Sequence, residues 1–598
     1  MRKSLKWLAA LLIPLGLLAA IVTLVWHPPS IEAQLTAQIM RLTGLQAVAR
    51  GPAHFRLLPR PQIVVEHISI ADSAGSVRIA AGGLTLRGNL RLLALLAGNI
   101  EFDRIELIKP EIIVDLDRDT AKGADWLRQM AEPAGATAKE ADGEPVGLFI
   151  LTGATVRLTS ARRALDMQFE DVHLRFDWPR VGSPLAINGR GRWHDARFNL
   201  AAWLGAPAAL VRGDQSALTL NLRGTEGRLA LRGTLQGGTE ARFEGNAQAE
   251  MSALSHFLQL AGLDASLKPA DERFAASGNV AAGLRDIAVS GLHLSVLGSD
   301  FDGAVTLRDN KDGRALSGTL ASDLLKLSPL LTLARQLTGQ DGQWRSGPQD
   351  LAFQPGIDLD VRISAAKLVT GTARAEDAAL AVRGQGGKLA FELVEARIFG
   401  GTVKAHAAVS RAGDGLVASL DGEGAGLDLA QICEATQCAR RLTGRADLSF
   451  ALAGRGHSPK GLLQNVAGRA KASLASGSFG GIDFAQALRR IEKKSWPALA
   501  NLHEGISSFE RCEISLVVQN GMATLENTRL TGAALRLDLS GSAALSSGQL
   551  ALKGIASQTG ADGAFRPDGP MLSFELAGPW YNPVFTPDLR DLVPATGE

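Results

Sequence analysis

The residue types that most often carry enzymatic chemistry are sparse and scattered in this chain. Its ten histidines include no pair at the spacing of a helical zinc motif, and Cys-x-x-Cys is absent. His194 is followed by Asp195, but a surface turn explains this pair better than acid–base catalysis does. The glycine-rich stretches 384–387 and 422–426 lack the Lys-Ser/Thr that completes a phosphate-binding loop. The sequence therefore predicts no enzyme, no metal site and no cofactor.

The chain has three cysteines, too few for a scaffold built on disulfides, and this number is compatible with an oxidising compartment. Cys433 and Cys438 could form a bond in principle. However, residues 427–442 have a helical pattern, in which five positions correspond to a rotation of about 140° around the axis. We therefore expect free or buried thiols.

Composition limits the partners. With 46% hydrophobic residues the chain can build a large apolar interior, and its length of 598 residues would suit three or four ordinary domains. The 63 basic and 61 acidic residues give a net charge of only +2. Nucleic-acid binding requires a basic excess that this chain lacks, so no nucleic-acid partner is expected.

Residues 7–26 form an unbroken apolar stretch with a tryptophan at each end, Trp7 and Trp26. Twenty helical residues span about 30 Å, the thickness of the hydrocarbon core of a bilayer. Basic residues precede the stretch, which predicts a transmembrane helix with residues 1–6 in the cytoplasm and residues 27–598 exported. A cleaved signal peptide ending near Ala19 or Ala20 is the alternative, and it also exports the body.

Most of the body has the pattern of short β-strands. The triplet Leu-x-Gly recurs and is interpreted as a strand ending, at residues 86–88, 151–153, 222–224, 231–233, 316–318, 452–454, 530–532, 539–541 and 576–578. Between these triplets apolar and polar residues alternate, so each strand has one apolar and one polar face. The apolar positions that we select as the best examples are Leu218, Leu220, Leu222, Leu448, Phe450, Leu452, Leu535, Leu537 and Leu539.

Four short helices are predicted among the strands, at residues 30–43, 251–263, 323–337 and 483–494, where apolar residues recur at helical spacing. We interpret them as caps on the sheet that pack through their apolar faces. Residues 132–147 are rich in Ala, Glu, Gly and Pro without periodicity, which predicts a linker.

Two parts of the sequence resemble the AsmA family. The run from Gly98 to Val114, followed by Trp126, is similar to the N-terminal domain of that family. The C-terminal third has matching glycine and aliphatic positions, including Gly477 to Asp483 and the closing segment Gly578 to Pro583. Each motif is degenerate, and the resemblance depends on their order along the chain.

The resemblance implies a single-pass inner-membrane protein of a bacterium with two membranes, with its body in the periplasm. The family is related to chorein-type bridge-like lipid-transfer proteins, so the implied fold is mainly β with a few helices: a long twisted antiparallel sheet that forms an open apolar groove. The implied domains are a cytoplasmic tip (1–6), a transmembrane helix (7–26), an N-terminal domain (27–131), a linker (132–147), a groove region (148–425) and a C-terminal domain (426–598).

The implied function is binding and transfer of phospholipids or other lipids between the inner and outer membranes, without bond-making chemistry. The nine apolar residues above would then face the lipid. A periplasmic assembly factor or scaffold, which docks an outer-membrane or periplasmic protein or helps surface polymers mature, is the alternative function. A closed sandwich that hides the apolar faces is the alternative fold.

Overall fold

The structure of the chain is a computed structural model. The described residues are 46–49, 53–56, 62–71, 77–87, 104–115, 145–160, 165–193, 196–238, 241–252, 273–283, 285–310, 313–328, 357–413, 415–436, 442–493, 505–559, 569–579 and 583–588. The predicted transmembrane helix, the His194–Asp195 pair and the predicted helix at residues 30–43 lie outside them. No helix within these ranges is long and apolar enough to cross a membrane.

The chain divides into two compact units. Unit 1 comprises Met1–Ala265 and Asp271–Gly291, and unit 2 comprises Ser266–Ala270 and Leu292–Glu598. Strand β14, Asp286–Val296, crosses the division. The domain boundary suggested between residues 425 and 426 falls inside a strand, Gly415–Asp428.

The strands of unit 1 that precede β14 are β1 Gln46–Ala49, β2 Ala53–Arg56, β3 Gln62–Ala71, β4 Val77–Arg87, β5 Arg104–Asp115, β6 Pro145–Ser160, β7 Leu165–Arg180, β8 Leu185–Trp193, β9 Ala196–Leu204, β10 Gln215–Gly224, β11 Gly227–Gln236, β12 Arg242–Met251 and β13 Phe274–Ala282. Strands β1 and β2 share one edge of β3. From β3 to β13 each strand pairs with the next.

The strands of unit 2 that follow β14 are β15 Ser299–Asn310, β16 Gly313–Lys326, β17 Ile357–Thr370, β18 Ala373–Gln385, β19 Lys388–Ile398, β20 Gly401–Ala412, β21 Gly415–Asp428, β22 Leu442–Gly456, β23 Ala467–Gly480, β24 Ile506–Gln519, β25 Met522–Gly532, β26 Leu535–Ala544, β27 Gln549–Ser557, β28 Met571–Pro579 and β29 Val584–Asp588. Consecutive strands again pair side by side.

Mainly β architecture with few helices is thus confirmed, but the expectation of a purely antiparallel sheet is wrong. Strands β5 and β6 pair in parallel, and so do β16 and β17. Parallel neighbours need a long crossover because the chain must return to the same end of the sheet. Residues 116–144 and 327–356 supply these connections. The first of them overlaps the predicted linker, whose last three residues already belong to β6.

The described helices are α1 Pro207–Val211, α2 Leu429–Thr436, α3 Pro459–Gln464 and α4 Phe484–Glu492. Helix α4 confirms the helix predicted at residues 483–494, with Asp483 as its N-cap. The helix predicted from residue 323 is wrong over its first four residues, which belong to β16. There Leu325 is buried opposite Leu368 of β17, so strand pairing outweighs the helical spacing. The rest of that prediction, and residues 253–263 of another, lie mostly outside the described ranges.

Most of the Leu-x-Gly triplets do not end strands, which corrects our interpretation. The triplets at 222–224 and 530–532 are strand ends and β4 ends within the triplet at 86–88, whereas Gly233, Gly318 and Gly541 lie inside strands. A Cβ at Gly541 would lie 2.3 Å from the carbonyl oxygen of Ala551 on the next strand. Glycine is needed there because the neighbouring backbone approaches too closely for a side chain.

Other glycines lie beneath aromatic rings. Phe450 pairs directly with Gly422, and Phe574 pairs directly with Gly554. A Cβ added at Gly422 would lie 2.7 Å from Cζ of Phe450, and one at Gly554 would lie 2.0 Å from Cζ of Phe574. Each ring therefore covers the glycine of the adjacent strand, an arrangement that compensates for the missing side chain.

Gly554→Ala tests this packing. Alanine normally favours folding over glycine by restricting the unfolded chain, but here its methyl group overlaps the Phe574 ring. We expect the free energy of unfolding, measured by urea titration, to fall by about 1–3 kcal/mol. In a protein that already carries Phe574→Leu, Gly554→Ala should lower the free energy of unfolding by less than it does in the wild type. A Gly554→Ala protein as stable as the wild type would contradict the ring placement.

Candidate functional site

A row of apolar residues crosses eight strands of unit 1 from β5 to β12. Each residue is the direct cross-strand partner of the next, so all of them share one face of the sheet. The row is Ile105, Phe149, Phe176, Ile187, Ala202, Leu220, Leu231 and Ala247. A parallel row lies two residues along each strand: Leu107, Leu151, Leu174, Gly189, Leu200, Leu222, Leu229 and Ala249. We call these two rows the unit 1 strip.

Unit 2 has the same arrangement over β16 to β28. Its first row is Leu320, Ile363, Leu380, Leu393, Ala405, Gly422, Phe450, Ala470, Leu516, Leu525, Gly541, Leu552 and Leu576. Its second row is Gly318, Val361, Val382, Phe391, Ala407, Leu420, Leu452, Gly468, Val518, Ala523, Ala543, Leu550 and Gly578. We call these two rows the unit 2 strip.

Exposure separates the strips from an ordinary core. All eight residues in the first row of the unit 1 strip are half-buried, as are Phe450, Leu516 and Leu552 in unit 2. Phe391 and Leu420 of the unit 2 strip are 49% and 43% exposed. Neighbours on the same sheet face shield the flanks of these side chains, and their outer surfaces remain accessible. Both strips are therefore open over much of their length.

A third row on the same face of unit 2 is buried, in contrast to the unit 2 strip. It consists of Leu427, Ala446, Leu474, Cys512, Leu530, Leu537, Ala556 and Leu572. All of these residues are at most 9% exposed. The row lies about 13 Å along the strands from the Phe450 row. Because both rows belong to one sheet, the difference in burial comes from what lies on top of them. We call this the covered row.

Helices α4 and α2 provide this cover, with α4 against β27 and β28 and α2 against β21 and β22. Phe484, Ala487 and Leu488 of α4 belong to the same apolar cluster as Leu537 and Leu572. The Phe484 ring lies 5.1 Å from that of Phe574 and 5.9 Å from that of Phe585. Ile432 of α2 packs against the same cluster.

The start of α4 is fixed by polar contacts. The Asp483 carboxylate accepts a hydrogen bond from the backbone N–H of Gln486 at 2.8 Å, a typical N-cap. The buried Ser507 hydroxyl accepts from the backbone N–H of Phe484 at 2.9 Å and donates to the carbonyl of Ile482 at 2.7 Å. These bonds satisfy backbone groups at the helix start that would otherwise be buried without partners.

The nine residues selected from sequence fall into two environments. The six on β10 and β22, Leu218, Leu220, Leu222, Leu448, Phe450 and Leu452, are half-buried on the open apolar face. Leu535 and Leu537 are 2% and 5% exposed in the cluster under α4, and Leu539 lies partly buried at its margin. Contact of these nine residues with a lipid stays a prediction, and at Leu535 and Leu537 it would require α4 to move.

Most residues of each strip were not among those predicted from the sequence. Some of them follow the same alternation of apolar and polar residues as the selected ones and could have been predicted from it: Leu229, Leu231, Leu516 and Leu552. Alanine and glycine members such as Ala202, Ala470 and Gly422 carry too weak a signal, and only the register assigns them to the strip.

The opposite face of each sheet is polar. In unit 2 it carries cross-strand ion pairs, including Arg383 with Glu392 at 2.9 Å and Arg529 with Asp538 at 2.9 Å. His406 Nδ1 lies 3.2 Å from an Asp421 carboxylate oxygen. These groups are solvent-exposed, so they orient the polar face towards water while contributing little stability.

The cysteines differ from our expectation. Cys433 on α2 is disulfide-bonded, which corrects the preference for free thiols there. Helix α2 extends only as far as Thr436, so the angular argument against a bond does not apply beyond that residue. Cys438 lies outside the described residues. Cys512 is free and buried in the covered row.

Within the described ranges no group of three or more His, Cys, Asp or Glu side chains is arranged to hold a metal ion. The absence of enzymatic activity, of a cofactor and of a nucleic-acid partner stays a prediction. The described residues form two long apolar surfaces, each on the sheet face opposite a polar one, and such surfaces can bind apolar groups.

The comparisons with known proteins give one match. The model of the AsmA family matches residues 208–528, more than half of the chain, from α1 in unit 1 to β25 in unit 2. The two segments with the most specific resemblance, residues 100–114 and 578–583, lie outside that range. Neither the comparison with curated proteins nor that with solved structures gave a match.

The labelling rate of the Cys512 thiol measures how well the covered row is shielded from solvent. Burial raises the pKa of its thiol to about 11, with a smaller contribution from the Glu513 carboxylate. At pH 8 only about one thiol in a thousand is then ionised. We expect maleimide labelling at Cys512, mapped by mass spectrometry, to be slow and to accelerate about tenfold per pH unit up to pH 10.

Leu488→Ala should loosen α4 and speed this labelling. The matched control is Leu325→Ala, which removes another buried leucine from a separate cluster. Equal acceleration in both variants would mean that Cys512 is reached by general unfolding. Wild-type labelling as fast as that of a free thiol would show that α4 does not cover the row.

Proposed function

Because this chain belongs to the AsmA family, we propose that it is a non-enzymatic, membrane-anchored periplasmic protein that binds lipids and transfers them between the inner and outer membranes. In this role it supports outer-membrane biogenesis and lipid homeostasis. Phospholipids are the proposed cargo. The single observation that carries the proposal is the pair of open apolar strips.

The strips suit acyl chains by their chemistry. A lipid that crosses an aqueous compartment must keep its tails away from water, and each buried methylene contributes about 0.8 kcal/mol. Half-buried leucine and phenylalanine side chains provide that environment without forming or breaking a bond. The polar groups of a lipid can stay in water because each strip is open on its outer side.

The strips also suit acyl chains by their length. Neighbouring strands are about 4.8 Å apart, so eight strands give roughly 34 Å and thirteen give roughly 58 Å before twist is considered. One tail extends over about half of a bilayer core, about 15 Å. Each strip therefore has room for more than one tail along its axis, which is what movement from one position to the next requires.

Residues 7–26 are the proposed inner-membrane anchor, with residues 1–6 in the cytoplasm and the body in the periplasm of a Gram-negative type bacterium. The Cys433 disulfide agrees with an exported body, since disulfides persist in oxidising compartments. The membrane helix and the compartment are inferred from the sequence of residues 1–29 and from the family.

A carboxylate on a strip should block transfer. Leu231→Glu in unit 1 and Leu516→Glu in unit 2 each place a charge against the proposed tails, where burying an unpaired charge is costly. We expect each to slow transfer of a fluorescent phospholipid between vesicles by at least tenfold. Ala230→Glu and Val517→Glu are the matched controls, because these half-buried neighbours lie on the opposite face.

Equal transfer by all four variants would overturn the proposal. If the wild type moved no phospholipid but crosslinked to an outer-membrane assembly protein, the alternative of an assembly factor would replace it.

A further inference from the structure

The polar face of unit 1 has a depression of about 490 Å³ opposite the unit 1 strip. Its polar lining includes Thr219, Asn221, Arg223, Arg232, Asn246 and Gln248. None of these six side chains makes a hydrogen bond or ion pair with another described residue. Their donors and acceptors are therefore available to a ligand.

An exposed tryptophan lies on the strand next to this depression without lining it. Trp203 is the direct cross-strand partner of Thr219 and is 43% exposed. A Cβ at Gly205, two residues further along the chain, would lie 3.1 Å from Cη2 and 3.5 Å from Cζ3 of Trp203. The six-membered ring therefore extends over Gly205, on the side of Trp203 that faces away from Asn221. A large apolar ring left exposed on an otherwise polar face is a typical feature of binding surfaces.

The charge on this surface is unbalanced. Arg228 forms an ion pair with Glu250, but Arg223 lies directly opposite Arg228, and no acid among the described residues pairs with Arg223 or Arg232. Like charges placed opposite each other destabilise a sheet. The depression of about 540 Å³ on the polar face of unit 2 is different, because its acids Glu392, Asp421 and Glu423 balance its cations Lys404, Arg469 and Lys471. Of these two depressions, the one in unit 1 thus has the excess positive charge that suits an anion.

We propose that this surface, comprising Trp203 and the six lining residues, binds an anionic oligosaccharide. The negative face of the indole ring attracts the weakly positive C–H groups of a sugar ring. Asn and Gln amides both donate and accept, which matches sugar hydroxyls. Arginine binds carboxylates through two parallel hydrogen bonds. The site lies on the face opposite Leu220 and Leu222, so it does not compete with the apolar strip.

Calorimetric titration of the full chain in detergent with hexagalacturonate tests this proposal. The wild type should bind it, and Trp203→Ala and Arg232→Gln should each weaken binding at least tenfold. Trp203→Phe, which keeps an aromatic face, should weaken binding of hexagalacturonate less than Trp203→Ala does. The matched control is Lys404→Gln on the polar face of unit 2, which should leave the affinity unchanged. All three side chains are on or near the surface, and circular dichroism checks that each variant is folded.

Three comparisons identify the ligand class. Neutral maltohexaose should bind at least tenfold more weakly than hexagalacturonate. Neither inorganic phosphate nor phosphatidylglycerol vesicles should displace bound hexagalacturonate. The proposal is overturned if the wild type shows no binding, if Lys404→Gln weakens it as much as Arg232→Gln, or if maltohexaose binds equally well. Displacement by phosphate or by vesicles would assign the surface to a simple anion or to a lipid headgroup, and would also overturn it.

Discussion

The structure depends on one constraint, the two-residue period of side chains along a strand combined with direct pairing between strands. A slip of one residue at any pair would move every apolar side chain beyond it to the polar face. In unit 1 the register keeps Leu220 opposite Leu231 and Ala202, and in unit 2 it keeps Phe450 opposite Gly422 and Ala470. The two strips exist because this constraint holds over many consecutive pairs.

Bulges shift this register between the open strip and the covered row on some strands of unit 2. In unit 2 the pairing shifts between Gly424 and Leu427 on β21, and between Leu525 and Thr528 on β25. Each shift lies between the open strip and the covered row, and each changes which positions of the strand are apolar: Leu525 faces the strip, whereas Leu530 lies in the covered row. Bulges also increase local twist. The open and the closed parts of one apolar face therefore meet at irregular pairing on β21 and β25, whereas the pairs β23–β24, β26–β27 and β27–β28 keep a regular register between them.

The sequence predicted the strand-rich fold and its two faces because leucine alternation is a strong signal. It also predicted α4, where Phe484, Leu488 and Ile491 recur at helical spacing. It did not predict the parallel pairs, since direction depends on which strand the chain rejoins after a long connection. It misassigned most Leu-x-Gly triplets, because glycine relieves crowding inside a strand as readily as it ends one.

Whether an apolar strand position is open or covered was also beyond the sequence. Phe450 and Leu537 lie in the same alternating pattern, yet Phe450 is half-buried on the open strip and Leu537 is buried in the covered row. The difference arises from the tertiary packing of α4, which a local pattern does not contain.

Photo-crosslinking in intact cells shows whether the open apolar strips contact acyl chains. A photoreactive amino acid would replace Leu220 or Phe450 on the strips, Asn221 or Ser449 on the polar faces, and Leu537 under α4. We expect phospholipid adducts at Leu220 and Phe450, none at Asn221 or Ser449, and few at Leu537. Adducts at the polar positions equal to those at Leu220 and Phe450, or no lipid adduct at any position, would contradict it.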